Sequence, residues 1–288
     1  MKIKAYAKIN LMLDILGRLP NGYHNLWMIM QSVSLYDTVE VEKTDSGKIT
    51  LSCSEEGIPL DEKNIAHKAA RAFFEYTGTE NCGIHIHIEK NIPSQAGLAG
   101  GSADGAAVIK ALNMIFSANL SDRQMCRIGK KVGADVPFCI MGGTCLAQNI
   151  GDVLSPLEDI PECFFVLAKP KMGVSTKEAF ESVDNANYIK RPDREKMLLA
   201  AANGDFDEMF KLSANVFEQV IEVPERVEIK KVMRQSGAKL SLMSGSGPTV
   251  YGVFENKNDA ENCAEKLNEF IKDVFIATPA KQGLEIIE

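Results

Sequence analysis

Residues 92–108 read IPSQAGLAGGSADGAAV, a stretch with almost no side-chain bulk. Gly97, Gly100 and Gly101 permit positive φ and let a ligand approach the backbone with no Cβ in the way. A strand-like run, IHIHIEKN, leads in, and a run of alanines and aliphatics leads out. Ser102 therefore opens a helix, where unpaired N–H groups and the helix dipole attract an anion. A phosphate chain suits such a site, with Ser102 placed to bond a phosphate oxygen or a metal. The helix end supplies only about half a positive charge. A triphosphate therefore calls for a magnesium ion and a lysine as well. The stretch is neither G-x-x-x-x-G-K-[ST] nor G-x-G-x-x-G, which excludes a Walker loop and a Rossmann fingerprint. A plain glycine-rich strand–helix connection fits the same composition.

Two charged residues stand in unusual company. Lys8 lies inside the apolar run AYAKINLMLDIL, where a charge is costly unless it is partnered. An edge-strand lysine with an outward stem is the alternative. Asp135 follows Gly-Ala and precedes Val-Pro, which places its carboxylate on irregular backbone; a turn or cap aspartate is the plainer reading. His85 and His87 form H-x-H on one strand face, but with no third ligand they read as a solvated surface.

The elements that must hold these residues are strands in the first third. KIKAYAKINLMLDIL, WMIMQSVSL, TVEVEK, KITLSC and GIHIHIE are bounded by turn residues. DEKNIAHKAARAFFEYTG has a helical face of Ile65, Ala69, Phe73 and Tyr76, with Gly78 as a stop. Helices are predicted from Ala103 to Phe116 and over LSDRQMCRIGKKVG, capped by Ser121. DVPFCIMGGTCLAQNIGD reads as a hairpin with Gly142 and Gly143 in the turn. Further helices are expected around 175–183, 193–202, 206–220 and 224–236, and DVFIATPA as a last strand. Strands and helices mix without strict alternation, so the class is α+β. The prolines and acids of SPLEDIPE suit a connector, which divides the chain into 1–157 and 158–288.

Bulk properties narrow the partners. The chain has 288 residues, 45% of them hydrophobic, enough for one large or two ordinary cores. A net charge of -7 excludes a chain-wide nucleic-acid footprint. No stretch approaches the ~20 apolar residues of a membrane span, and Lys8 and Asp14 interrupt the N-terminal apolar run. Seven cysteines without CxxC spacing suit reduced thiols. A soluble, cytoplasmic protein is expected, with monomer and homodimer both open.

The stretch PSQAGLAGGSA resembles the phosphate loop of the GHMP kinases, AYAKINLMLDILG resembles their first motif, and LMSGSGPTVYGVF their third. The resemblance implies a two-domain fold: a nucleotide-binding N-terminal α/β domain and a ferredoxin-like α+β C-terminal domain. It implies ATP and Mg2+ as cofactors, with Pro93, Gly97, Leu98, Ala99, Gly100, Gly101, Ser102 and Ala103 at the phosphates. Asn64 would lie near the adenine, and Lys90 and Asn113 near the nucleotide. AKINLMLDILGRLPNGYHNL, GADVPFCIMGGT and AKPKMGVSTKEAF are similar to the branch that phosphorylates the 2-hydroxyl of a diphosphocytidyl methylerythritol. In that branch Lys8 and Asp135 are catalytic. An ordinary aspartate has a pKa near 3.9, too low to deprotonate an alcohol beforehand. Asp135 would orient the hydroxyl and accept its proton late, steadied by Lys8. Tyr23, His24 and Phe180 would enclose the cytosine, Asn10 would touch the acceptor, and Gly245 and Gly247 the substrate phosphates. The chain departs from the family at Ala99, commonly a glycine, and at NIGD (149–152), often GRGE. A kinase for another alcohol and a nucleotide-binding regulator without catalysis are the rival readings.

Overall fold

The computed structural model describes residues 1–287. In chain order the first half contains β1 (Lys2–Arg18), β2 (His24–Lys43), β3 (Ile49–Cys53), α1 (Ile65–Thr77), β4 (Ile84–Glu89), α2 (Gly100–Ile115), α3 (Asp122–Val132), α4 (Val136–Met141), β5 (Thr144–Asn149) and β6 (Val153–Pro156). There follow β7 (Phe164–Lys169), α5 (Thr176–Asp184), α6 (Arg194–Ala202), α7 (Phe206–Leu212), β8 (Ala214–Asn215), α8 (Arg226–Gln235), β9 (Leu240–Met243), β10 (Val250–Phe254), α9 (Lys257–Asn268), β11 (Asp273–Ala277) and β12 (Leu284–Ile286).

β1 and β2 pair antiparallel along nearly their whole length and form the spine of an eight-stranded sheet. Its path is β12-β1-β2-β4-β3, with β5 and β6 continuing from β2 and β8 set beside β1. WMIMQSVSL and TVEVEK belong to one strand: the pairing shifts register between Tyr6 and Ala7, so a bulge stands where a break was expected. α1, α2 and α4 pack on this sheet, with α2 against β1 and β2, and α3 packs on those helices. Asn64 caps α1 by accepting the Ala66 N–H at 2.8 Å, and Gly78 closes it at φ +68. The second sheet runs β11-β7-β10-β9, all antiparallel, with α8 and α9 packed on it. That strand order matches the ferredoxin-like expectation. One core spans both sheets: Ile9, Leu112, Phe165 and Tyr251 belong to the same buried cluster.

Four expectations about elements need correction. α2 starts at Gly100, not Ala103, because the glycines already adopt helical backbone. Val136–Met141 is a helix, so Gly142 and Gly143 join α4 to β5; the hairpin is β5–β6, turning through Asn149 and Gly151. The helix predicted over 206–220 ends at Leu212. Asn215 redirects the chain: its Nδ2 donates to the Met243 and Gly245 carbonyls at 2.7 Å each, and its Oδ1 accepts the Phe217 N–H at 3.0 Å. DVFIATPA is followed by another strand, β12, which pairs with β1 at Ile3, Lys4 and Ala5. Among the described residues, no helix is long and apolar enough to cross a membrane.

Candidate active site

A cavity of about 1030 Å³ opens between the two glycine-rich turns. The loop before α2 forms one wall. Gly97 and Ala99 have φ of +75 and +60, and the first helical hydrogen bond joins Ala103 N–H to the Ala99 carbonyl. The N–H groups of Gly100, Gly101 and Ser102 therefore have no partner within the helix. These three residues line the cavity with Pro93, Gly97 and Ala99. Leu98 and Ala103, expected with them, turn into the core, at 1% and 0% exposure. The loop alternates its residues between cavity and core, so only part of the motif faces the cavity.

The loop rests on the second glycine turn. A Cβ on Gly97 would lie 2.3 Å from the Ser244 carbonyl, and one on Gly245 3.0 Å from the Gly97 carbonyl. Gly245 and Gly247 both line the cavity.

Lys8 reaches the cavity from the middle of β1 and is 4% exposed. Its Nζ donates to Asn10 Oδ1 at 2.7 Å, which also accepts the Gly245 N–H at 3.0 Å. Asn10 does not line the cavity; it orients Lys8 behind the wall, a correction to its expected contact with the acceptor. Among the described residues, Lys8 forms no ion pair. A buried ammonium held by neutral partners alone favours an anion in the space it faces. Asp135, half-buried at the start of α4, lines the same cavity. Its carboxylate caps no helix, which leaves both oxygens free of the cap role that a turn aspartate serves.

The wall expected to take the nucleotide holds only some of the residues expected there. Asn64 lines the cavity beside Ile58, Pro59 and Ile65, but its side chain is committed to the α1 cap and to the Pro59 carbonyl at 2.7 Å. Lys90 also lines the cavity, yet it is bound between two buried carboxylates, Asp37 and Asp104 at 2.9 Å. Asp37 is fixed in turn by the N–H groups of Asn91 and Ile92, at 2.6 and 2.8 Å. Burial pushes the Asp104 carboxyl up to about 8, with Lys90 opposing and Asp37 adding. Asn113 is not at the cavity. It brackets Leu120, donating to its carbonyl at 3.0 Å and accepting its N–H at 2.8 Å, far down α2. Asp104 was absent from the sequence reading; an acid inside the apolar run SADGAAVI was the available signal.

The far end is aromatic. Tyr23 is 61% exposed on the turn between β1 and β2. His24 stacks directly on Phe180, with centroids 4.4 Å apart and planes 12° from parallel. No ring fits between them, so Phe180 supports His24, and a base enclosed by Tyr23, His24 and Phe180 lies outside that stack. Phe180 also meets Phe217 edge-on at 5.1 Å. His24 Nε2 lies 2.8 Å from Asp184 Oδ1, and Arg18 Nε lies 3.6 Å from Asp184 Oδ2.

The remaining motifs are structural. His85 and His87 share hydrogen bonds with Thr50 and Ser52 at 2.8–2.9 Å. Asn149 adopts φ +61 and donates to Asp152 at 2.7 Å, which closes the departing NIGD turn.

Known proteins share this fold and family. Residues 64–143 match the GHMP kinases N terminal domain, and residues 197–273 match GHMP kinases C terminal. The chain is 46% identical to 4-diphosphocytidyl-2-C-methyl-D-erythritol kinase of Caldicellulosiruptor bescii over 280 residues, covering 96% of this chain and 98% of that protein. It is 44% identical to the enzyme of the same name from Clostridium beijerinckii, covering 96% and 99%. A crystal structure of 4-(cytidine 5'-diphospho)-2C-methyl-D-erythritol kinase superposes with TM-score 0.80 at 31% identity, covering 97% of this chain and 99% of the other. Homoserine kinase from Cytophaga hutchinsonii, at TM-score 0.77 and 19% identity over 100% and 97%, shares the fold.

Proposed function

Because this chain belongs to the 4-diphosphocytidyl-2-C-methyl-D-erythritol kinases within the GHMP kinases, we propose how its cavity performs their reaction. It is an ATP-dependent small-molecule kinase of the non-mevalonate isoprenoid precursor pathway. The observation that carries the assignment of roles is the single cavity that joins the open N-terminus of α2, Lys8, Asp135 and the aromatic end.

The polyphosphate of ATP lies on the N–H groups of Gly100, Gly101 and Ser102, with the nucleoside toward Ile58, Pro59 and Ile65. The cytidine of the acceptor lies at Tyr23 and His24. Its methylerythritol then reaches Asp135 and Lys8 between the two ends. Asp135 accepts a hydrogen bond from the 2-hydroxyl, aligns it with the γ-phosphorus and takes its proton late in a loose transition state. Lys8, oriented by Asn10, stabilises the charge that develops on the reacting oxygens. Gly245 and Gly247 bring bare backbone to the acceptor diphosphate. Residues 1–157 supply the nucleotide side together with Tyr23, His24, Lys8 and Asp135, and 158–288 add Phe180, Gly245 and Gly247 to the acceptor side.

Magnesium fits the donor set. Ser102 lines the cavity and makes no side-chain hydrogen bond among the described residues, where no cluster of three His, Cys, Asp or Glu could cage a metal. Mg2+ takes few protein oxygens and many from phosphate or water; Ser102 would hold it. When bound, it neutralises charge on the transferring phosphate.

The test is direct: incubate the protein with Mg-ATP and the cytidylyl sugar alcohol and locate the new phosphate by NMR. Phosphate on the 2-oxygen is expected. Absence of transfer, or transfer to another oxygen, rejects the assignment.

A further inference from the structure

The aromatic end holds a second relationship that the phosphoryl transfer does not use. Asp184 closes α5 one turn beyond Phe180, so both project from one helix face toward the β1–β2 turn. The carboxylate meets two groups from that turn: His24 Nε2 on Oδ1 at 2.8 Å and Arg18 Nε on Oδ2 at 3.6 Å. An ionised carboxylate only accepts hydrogen bonds, so the proton of a neutral His24 ring resides on Nε2. Nδ1 is then an acceptor, and it has no partner among the described residues. The ring cannot turn over freely, because one face lies on Phe180 at 4.4 Å and its side chain is only 9% exposed.

We propose that Asp184 is a specificity-determining positioning residue, which fixes His24 as a hydrogen-bond acceptor toward the pyrimidine of the acceptor substrate. The proposal rests on the cytidine reading above. With one face taken by Phe180, His24 meets the base by its Nδ1 edge. An acceptor at that edge pairs with the 4-amino group of cytosine. The 4-oxo group of uracil presents lone pairs instead, and two acceptors facing each other leave both without a partner. Tyr23, exposed and aromatic, tolerates either base, so the choice between them falls to His24 and thus to Asp184.

Three proteins decide the matter: the unaltered chain, Asp184→Asn and Asp184→Glu. Each is assayed with the cytidine substrate and with its uridine counterpart. The unaltered enzyme is expected to favour cytidine in kcat/KM by about 10–100-fold, the range set by one unsatisfied buried group. Asparagine can donate to Nε2 as readily as accept from it, so Asp184→Asn should reduce that preference about tenfold. Asp184→Glu, which keeps an acceptor-only partner, should restore much of it. In parallel, 1H–15N NMR of the ring nitrogens, assigned by difference against His24→Gln, should show Nε2 protonated and Nδ1 bare at neutral pH. Asp184 is 31% exposed at a helix end, so the variants are expected to fold.

An equal loss toward both substrates in Asp184→Asn would leave Asp184 a structural support only and overturn the proposal. So would a proton on Nδ1 in the unaltered enzyme. Failure to phosphorylate either substrate would instead remove the kinase reading beneath it, a distinct result.

Discussion

Ser244 Oγ donates a 2.9 Å hydrogen bond to the Gly97 carbonyl across 147 residues of chain. The contact joins the phosphate loop to the turn after β9, and it leaves no space for a side chain at Gly97. Gly97→Ala forces an L-residue to φ +75 and presses a methyl against backbone. A loss of about 2–5 kcal/mol is expected from left-handed strain and overpacking together, with a raised KM for ATP. Chemical unfolding and steady-state kinetics measure both.

Ala99 presents the opposite case. It occupies φ +60 as the cap of α2, a conformation that glycine adopts without strain. Ala99→Gly should stabilise the protein by about 0.5–1 kcal/mol, raising Tm by roughly 1–4 °C in calorimetry.

Asp135→Asn keeps the size of the side chain and removes the proton acceptor. kcat should fall by about 10²–10⁴-fold, while KM for both substrates changes little. Rapid turnover by this variant would remove Asp135 from its role.

Asn10→Leu tests how Lys8 is aimed. The variant touches no substrate, since Asn10 stands behind the wall. Lys8 nevertheless loses its 2.7 Å acceptor, and misplacement of a reacting group by about 1 Å costs on the order of 10²-fold in kcat. Unchanged kcat in a well-folded variant would separate Lys8 from the chemistry.

Asp104 gives the molecule a pH signature. Its carboxyl is raised by burial from 3.8 to about 8, so the folded chain holds a proton that the unfolded chain releases. This stabilisation is complete below the unfolded value and disappears as pH rises through about 8. Unfolding free energy should therefore decline with pH across that window, and Asp104→Asn should flatten the decline. Urea titrations at a series of pH values provide the slope.

What was legible in the sequence follows from the range of each signal. The glycine-rich loop before α2 is local, so its bare backbone is visible in sequence, although composition alone fits a plain connection and the phosphate role rests on the resemblance. Lys8 and Asp135 each break their surroundings, a charge in an apolar strand and an acid before Val-Pro. Their catalytic roles rest on the family resemblance, since locally an outward lysine and a turn aspartate fit as well. Asn10, two residues from Lys8, was assigned to the acceptor because nothing local reveals that its oxygen faces Lys8 and Gly245. The buried group of Asp37, Lys90 and Asp104 draws on β2, the segment after β4, and α2, so no window of sequence contains it. Asn113 has the right residue type on the right helix, yet its partner is the turn at Leu120. The His24–Phe180 stack similarly joins residues from the two halves of the chain.

β12 lies beside β1, and a Cβ on Gly283 just before it would fall 1.9 Å from the Cys139 carbonyl of α4. The strand that bears Lys8 and the helix that Asp135 begins are thus braced by the same late segment. During synthesis β1 emerges well before β12, so the nascent chain carries an open strand edge until β12 is made. Catalytic competence is acquired only once β12 has been made, and chains released before it are expected to be inert and prone to self-association.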